Sequence, residues 1–252
     1  MQKLFAFSIL AILVASMFSA LPLQTASAQP TIIATIPIPS PPSALSGNLV
    51  VDPDLNRIYL GVGNAFSFPG EVYVINGATD TLQTTIIPDP SSGGGSLAVN
   101  PLTHEIFFGN QAGGNSYLIN TSDGDTFTVS NIAVPGLPTV SGVNPATNKF
   151  YSGNQGCPLG VCDGMSTIDG STDTLLSGIA PLSGVAGGPA IVVDEGRNLI
   201  YASGAPAAGR VFNGATNPPS LVTSIPSFGP STINQNTHKV YGFNWAGGGL
   251  SS

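Results

Sequence analysis

Val51-Asp52-Pro53-Asp54-Leu55-Asn56-Arg57-Ile58-Tyr59 occurs, with substitutions, five times in this chain. The other copies are Val99-Asn100-Pro101-Leu102-Thr103-His104-Glu105-Ile106-Phe107, Val143-Asn144-Pro145-Ala146-Thr147-Asn148-Lys149-Phe150-Tyr151, Val193-Asp194-Glu195-Gly196-Arg197-Asn198-Leu199-Ile200-Tyr201 and Ile233-Asn234-Gln235-Asn236-Thr237-His238-Lys239-Val240-Tyr241. The copies start at 51, 99, 143, 193 and 233, so they lie 48, 44, 50 and 40 residues apart. The core itself never changes length, which puts the insertions elsewhere. A period of about 40 to 50 residues is that of propellers and other arrays.

Each core reads as strand, tight turn, strand. Its second position is Asp52, Asn100, Asn144, Asp194 or Asn234, short side chains that fold back onto their own backbone in a turn. Its sixth is Asn56, His104, Asn148, Asn198 or His238, residue types enriched at positive φ. Both histidines of the protein therefore stand where other copies carry Asn, which predicts turn residues rather than bases or metal ligands. A second motif follows, at Val74–Leu82, Leu118–Thr126, Thr167–Leu175 and Val211–Asn217, in which a β-rich strand enters a turn of Asn, Asp and Gly. A fourth strand leaves it over Leu82–Ile87, Thr126–Ala133, Leu175–Ala180 and Leu221–Ile225. Four short strands per unit predict an all-β propeller of four-stranded antiparallel blades.

At these two motifs the chain resembles the YVTN β-propeller repeat family of surface-layer and periplasmic propellers. The family's Tyr-Val-Thr-Asn stretch corresponds to Tyr59-Leu60-Gly61-Val62, Phe107-Phe108-Gly109-Asn110, Tyr151-Ser152-Gly153-Asn154, Tyr201-Ala202-Ser203-Gly204 and Tyr241-Gly242-Phe243-Asn244. Its Ile-Asp-x-x-Thr-Asn turn corresponds to the second motif. The resemblance covers about residues 31 to 252 and implies a propeller acting as scaffold, binder or enzyme. Related propeller enzymes often carry catalytic histidines or metal-binding acidic clusters. No such cluster can be placed on these residues, so no catalytic, cofactor-binding or metal-ligating residue is assigned and no cofactor is expected.

Composition agrees with an all-β chain. The 252 residues include 32 Gly and 22 Pro, with 42% apolar and only 8% charged residues. Low charge joined to high apolar content is not the disordered signature. Six Lys and Arg against 13 Asp and Glu give a net charge of -7, too few cations for a phosphate-binding stripe, so nucleic acid is excluded as a partner. Lys3, an apolar run from Leu4 to about Leu23 and Ala26-Ser27-Ala28 predict a secretory signal over 1–28, with the propeller domain over 29–252. The alternative is an uncleaved anchor, since the run is near spanning length. No second such run follows, so no membrane span is expected after cleavage. Removing Lys3 leaves five cations against 13 acids, or -8.

Export makes Cys157 and Cys162 an expected disulfide, and closing so short a loop stabilises by less than the roughly 3 kcal/mol of a 15-residue loop. Gly160-Val161-Cys162-Asp163-Gly164 has nucleophile-elbow spacing but no strand-turn-helix context. Asp52-Pro53-Asp54-Leu55-Asn56 imitates a calcium loop, yet Arg57 stands where Gly is required. Asp123-Gly124-Asp125 with Asn120 could touch a cation but occupies a turn, and Ser91–Ser96 is glycine-rich without the lysine of a phosphate cradle. Asn120-Thr121-Ser122 is a glycosylation sequon.

The ends predict how the ring closes. Thr31–Pro37 matches the fourth strand of other blades, while the C-terminus supplies first and second strands and a short third at Gly249–Ser252. The expectation is about five blades, four complete and one shared by the two ends, either a ring with a thin closing blade or part of a larger propeller.

Short regular turns lie at one end of the blades. Length changes lie at the other: Asn64–Pro69, Gln111–Gly114, Gln155–Gly164, Ala205–Gly209 and Trp245–Gly248, plus the links Pro37–Gly47, Pro88–Gly95 and Pro181–Gly188. Insertions gathered on one face mark a binding face. These segments hold no Lys or Arg, their acids are Asp89 and Asp163, and Phe66, Phe68, Phe228 and Trp245 offer apolar surface. Phe66, Phe68 and Trp245 are the candidate partner-binding residues, on a neutral face suited to a protein or a glycan. The leading expectation is an exported, non-enzymatic binding or scaffold module, periplasmic, extracellular or on the cell surface. The alternative is a lactonase-like hydrolase or lyase with its site in the central funnel.

Overall fold

An Asx turn followed by one left-handed residue reverses the chain in four residues, and that device sets every blade. The computed structural model describes residues 32, 34–39, 48–63, 69–90, 93–110, 115–122, 126–155, 164–181, 190–203, 209–225, 228–244 and 249–251. The chain divides into Met1–Thr35, of which the three described residues lie in no strand, and Ile36–Ser252. In the second unit, blade 1 comprises β1 (Leu49–Asp52), β2 (Arg57–Val62), β3 (Gly70–Asn76) and β4 (Thr81–Asp89). Blade 2 comprises β5 (Leu97–Asn100), β6 (Glu105–Asn110), β7 (Asn115–Asn120) and β8 (Thr128–Ala133). Blade 3 comprises β9 (Leu137–Asn144), β10 (Lys149–Gln155), β11 (Gly164–Asp169) and β12 (Thr174–Pro181). Blade 4 comprises β13 (Ala190–Asp194), β14 (Leu199–Ser203), β15 (Gly209–Asn213) and β16 (Ser220–Ile225), and blade 5 comprises β17 (Phe228–Asn234), β18 (Lys239–Asn244) and β19 (Gly249–Ser251).

Strands pair in chain order within each blade, antiparallel throughout, so the fold is an all-β propeller of up-and-down blades. Each nine-residue core is the hairpin between first and second strands: Asp52 pairs with Arg57, Asn100 with Glu105, Asn144 with Lys149, Asp194 with Leu199 and Asn234 with Lys239. The sixth position is left-handed in all five, with φ between 48° and 58°. Blade 3 closes its turn as a short 3-10 segment, Pro145–Thr147. Among the described residues four blades have four strands and the fifth has three. The described residues of Thr31–Pro37, expected to supply its fourth strand, lie in no sheet, and the carbonyl of Pro39 just beyond accepts the Tyr73 hydroxyl at 3.0 Å.

The core lies between blades. Tyr59, Val72, Val74 and Ile86 of blade 1 meet Leu97, Ile106, Phe108, Tyr117 and Ile119 of blade 2. Ala98, Phe107, Leu118 and Ile132 of blade 2 meet Phe150 and Ile168 of blade 3. Phe107 and Phe150 stack with centroids 6.1 Å apart, an arrangement that adds roughly 1 kcal/mol beyond the area buried. Tyr151 and Met165 of blade 3 meet Ile191, Val193, Ile200, Ala202 and Phe212 of blade 4. Successive first strands β1, β5, β9, β13 and β17 pack in series, carrying one blade to the next.

Candidate functional site

The turn end of the blades holds the chain's histidines. The second-position side chain accepts backbone N–H groups two or three residues on: Asp52 from Asp54 and Leu55, Asn100 from Leu102, Asn144 from Ala146, Asp194 from Arg197, and Asn234 from Asn236 and Thr237. The same side chain also reaches the sixth position of the next blade. His104 Nδ1 lies 2.8 Å from Asp52 Oδ2, and His238 Nδ1 lies 2.9 Å from Asp194 Oδ1. With a carboxylate accepting, each Nδ1 carries the proton. Asn100 Nδ2 donates to Asn148 Oδ1 at 2.6 Å, and Asn144 Nδ2 donates to Asn198 Oδ1 at 2.9 Å. Four blade junctions thus carry one latch in two chemistries: Asp takes His, and Asn takes Asn.

The sixth residue also ties the two motifs of its own blade together. Its carbonyl accepts the N–H of Gly77, Thr121, Gly170 or Gly214 at 2.8 to 2.9 Å. Glycine is required at Gly170 by close approach, since a Cβ there would come within 2.6 Å of Asn148 Oδ1. Blade 2 substitutes Thr121, whose carbonyl and hydroxyl accept from Arg57 Nη1 and the Tyr59 hydroxyl, each at 3.1 Å. Glu105 joins the blade 2–3 latch: Asn148 Nδ2 and the Thr103 hydroxyl donate to its Oε2 at 3.1 and 2.9 Å. Burial pushes the Glu105 carboxyl up, and these two donors offset part of that.

The loop end is polar in a different way. Asp89 was expected as a loop acid; instead it ends β4, buried, with Oδ2 accepting from Asn110 Nδ2 at 3.1 Å and from the Tyr117 hydroxyl at 2.9 Å. Burial, then the Asp89 carboxylate, pushes Tyr117 up to about 12. Tyr73 is likewise pushed up to about 12 by burial and by Glu71, whose Oε2 lies 2.5 Å from the hydroxyl. Both phenols stay protonated at neutral pH and act as donors. Within blade 3 the polar groups form a short chain: Ser152 donates to Asn154 Oδ1 at 2.8 Å, and Asn154 Nδ2 donates to Ser166 Oγ at 2.7 Å. The hydroxyls of Ser96, Ser116 and Ser141 have no hydrogen-bond partner among the described residues.

Phe228, expected on the exposed face, is 8% exposed and is drawn into the core beside Gly209 and Gly242, whose missing side chains leave room for it. Phe66, Phe68 and Trp245 lie outside the described residues, as do Cys157, Cys162, Asp163, the signal segment 1–28 and Asp123–Asp125. The glycine-rich link does close packing: a Cβ on Gly63 would come within 2.1 Å of the Gly94 nitrogen. Both Asp52 oxygens are engaged by two backbone amides and His104 rather than arranged as calcium ligands. Among the described residues no three His, Cys, Asp or Glu side chains are grouped to hold a metal ion, and no helix is long and apolar enough to cross a membrane. The cross-blade latches escaped the sequence reading, although one signal was present. Asp52 and Asp194 are each followed in the next copy by a sixth-position His, and Asn100 and Asn144 by a sixth-position Asn.

No family model matches the sequence, and no curated protein matches it. Solved structures do. Hydrazine synthase from Kuenenia stuttgartiensis aligns with a TM-score of 0.61 at 13% identity, over 79% of this chain and 56% of that one. This chain thus spans little more than half the length of that relative. A functionally unknown protein from Desulfotomaculum acetoxidans DSM 771 aligns with a TM-score of 0.59 at 16% identity, over 82% of this chain and 70% of that one. At such identities the likeness is one of fold, and the fold is the β-propeller.

Proposed function

We propose that this chain is an exported β-propeller of the YVTN type, working as a non-enzymatic binding or scaffold module that takes a protein or glycan on its loop-bearing face. The observation that carries the reading is where the titratable groups go. His104 and His238 sit in latches with buried Asp52 and Asp194, and the imidazoles are spent joining blades. An acid–base catalyst needs its proton-transferring group aimed at a substrate. At the loop end Tyr117 and Tyr73 are buried, donate to carboxylates and are held protonated, which does not suit nucleophilic chemistry. The neutral loops with Phe66, Phe68 and Trp245 would supply stacking surface for a sugar ring or an apolar side chain.

Glycan-array binding by the purified protein tests this. Replacing Phe66, Phe68 and Trp245 together by Ser should abolish the signal while far-UV circular dichroism stays unchanged. Unaltered binding would remove these residues from the site. Turnover of lactones or esters by the purified protein would instead favour a hydrolase with its centre in the funnel. Export has its own readout: mass spectrometry of protein from the producing cell should find a chain starting at Gln29, with Cys157 and Cys162 joined.

A further inference from the structure

Two Asn-Gly pairs occur in the sequence, Asn76-Gly77 and Asn213-Gly214. Both fall at the same place, where a third strand, β3 or β15, enters the turn of the second motif. Asn-Gly is the dipeptide in which asparagine most readily loses its amide. With no side chain on the glycine, its backbone nitrogen reaches the preceding Cγ. That nitrogen gives up its proton and bonds to Cγ, the Cγ–Nδ2 bond breaks, and ammonia leaves with the proton. Water then opens the imide ring at either carbonyl, giving aspartate or isoaspartate.

Solvent reach does not restrain this chemistry here, because the turn hydrogen bonds of both asparagines lie at the surface. The nucleophile is what the fold withholds. Gly77 N donates to Asn56 O and Gly214 N donates to Asn198 O, both at 2.8 Å. Those bonds extend the ladder between second and third strands, in which Asn76 faces Arg57 and Asn213 faces Leu199. The asparagine side chain is pinned as well. Asn76 Oδ1 accepts from the Ala78 and Thr79 amides at 2.8 and 3.2 Å, and Asn213 Oδ1 from the Ala215 amide at 2.9 Å. Each third strand lies between a second and a fourth, so fraying of the outermost strand leaves the glycine nitrogen bonded. Blade 3 already carries the product. Asp169-Gly170 keeps both contacts, with Gly170 N on Asn148 O at 2.9 Å and Ser171 N on Asp169 Oδ1 at 2.8 Å.

We propose that Asn76 and Asn213 are latent deamidation sites, guarded by the carbonyl of the sixth core residue and opened to reaction only when second and third strands part at the turn end. Aspartate formed there is accommodated as Asp169 is. Isoaspartate, whose backbone runs through Cβ, carries the glycine past the guarding carbonyl and is not. The modification therefore marks a chain whose blade has opened, whatever the loop face binds.

Peptide mapping by mass spectrometry, during incubation in mildly alkaline buffer, tests it. In the folded wild type both asparagines should convert at least about tenfold more slowly than in the same chain unfolded in urea, since reaction waits on local opening. Equal rates would overturn the guard. Asn56→Ala lacks the local hydrogen bonding that makes Asn tolerable at a φ of 49°, so it should speed Asn76 about tenfold and leave Asn213 slow. Asn56→Gly, at ease at that φ, should leave both sites slow. If Asn56→Ala speeds both sites, the reaction follows global unfolding; if it speeds neither, the Asn56 carbonyl is no guard. Either result overturns the proposal. The fit of the product has its own readout: a chain with Asn76→Asp and Asn213→Asp should melt at the wild-type temperature, and a clear drop would overturn that part.

Discussion

At the turn end of the blades, five nine-residue copies of equal length place Asn or His at φ between 48° and 58°, and each latch joins residues that the repeat itself makes equivalent. At the loop end, the connections differ in length from blade to blade, and the buried polar contacts differ too: an aspartate with an asparagine and a tyrosine after blade 1, a run of serine hydroxyls in blade 3. The same strands run through both ends. One end repeats because the same second- and sixth-position latch recurs from junction to junction, and the other varies because its contacts do not recur: Asp89 joins blades 1 and 2, while the chain through Asn154 lies within blade 3. The proposed partner-binding surface lies at the end whose contacts do not recur from blade to blade.

The sharpest way to break this comparison is to remove a latch. Asp52 is fully buried and satisfies two backbone amides and His104. Asp52→Ala should cost about 2–3 kcal/mol, because it loses a turn-capping acceptor and strands a ring N–H in a half-buried place. Asp52→Asn should cost about 1 kcal/mol or less, since its Oδ1 can still accept the amides while His104 shifts its proton to Nε2 and accepts from the new amide. Urea denaturation followed by far-UV circular dichroism reads both. Equal losses for Ala and Asn would show that the carboxylate's charge, which both variants remove, holds the junction rather than hydrogen bonds that an amide can also make.

Removing a contact at the other end should cost less. Tyr117→Phe keeps the ring in the blade 1–2 core but takes one donor from the buried Asp89, leaving Asn110 on the same oxygen. The expected loss is about 1 kcal/mol in the same urea measurement. A loss as large as that of Asp52→Ala would mean that the loop end is as tightly held as the turn end, and the case for a variable binding face would weaken.

These two ends were also unequally legible. Asx turns and left-handed residues are local, set by the side chain's reach to its own backbone, so Asp52, Asn100, Asn144, Asp194 and Asn234 could be assigned their roles from spacing alone. The histidines followed, because His104 and His238 align with Asn56, Asn148 and Asn198 and share their positive φ. The partners of those histidines were not legible one copy at a time. Asp52 and His104 are 52 residues apart, and only comparison of adjacent copies couples them. Asp89 was misplaced because it follows Pro88 in what reads as a link, whereas β4 pairs through to Gly70 and carries the carboxylate inward beside Asn110. Phe228 was misplaced for a related reason: an aromatic after Pro226 and Ser227 reads as a loop residue, but it begins β17 and fills the space above two glycines.

The smallest expected effect is a titration at the turn end. Glu105 lies inside the blade 2–3 latch, and burial raises its carboxyl above the ordinary value of 4.5, with the nearby charges of Asp173 and Asp169 acting in the same direction. The Asn148 amide and Thr103 hydroxyl favour the ionised form but do not cancel the burial. A carboxyl raised in the folded state contributes its full stability below the unfolded value, where both states are protonated, and loses it as pH rises through the folded value. Glu105→Gln removes that loss while its amide oxygen keeps both donors. The variant should therefore melt higher than the wild type at pH 7, and the gap should close as pH falls below 4.5. A variant that melts lower at pH 7 would mean that the ionised carboxylate is what Asn148 requires, so that the latch depends on the charge of Glu105 rather than tolerating it.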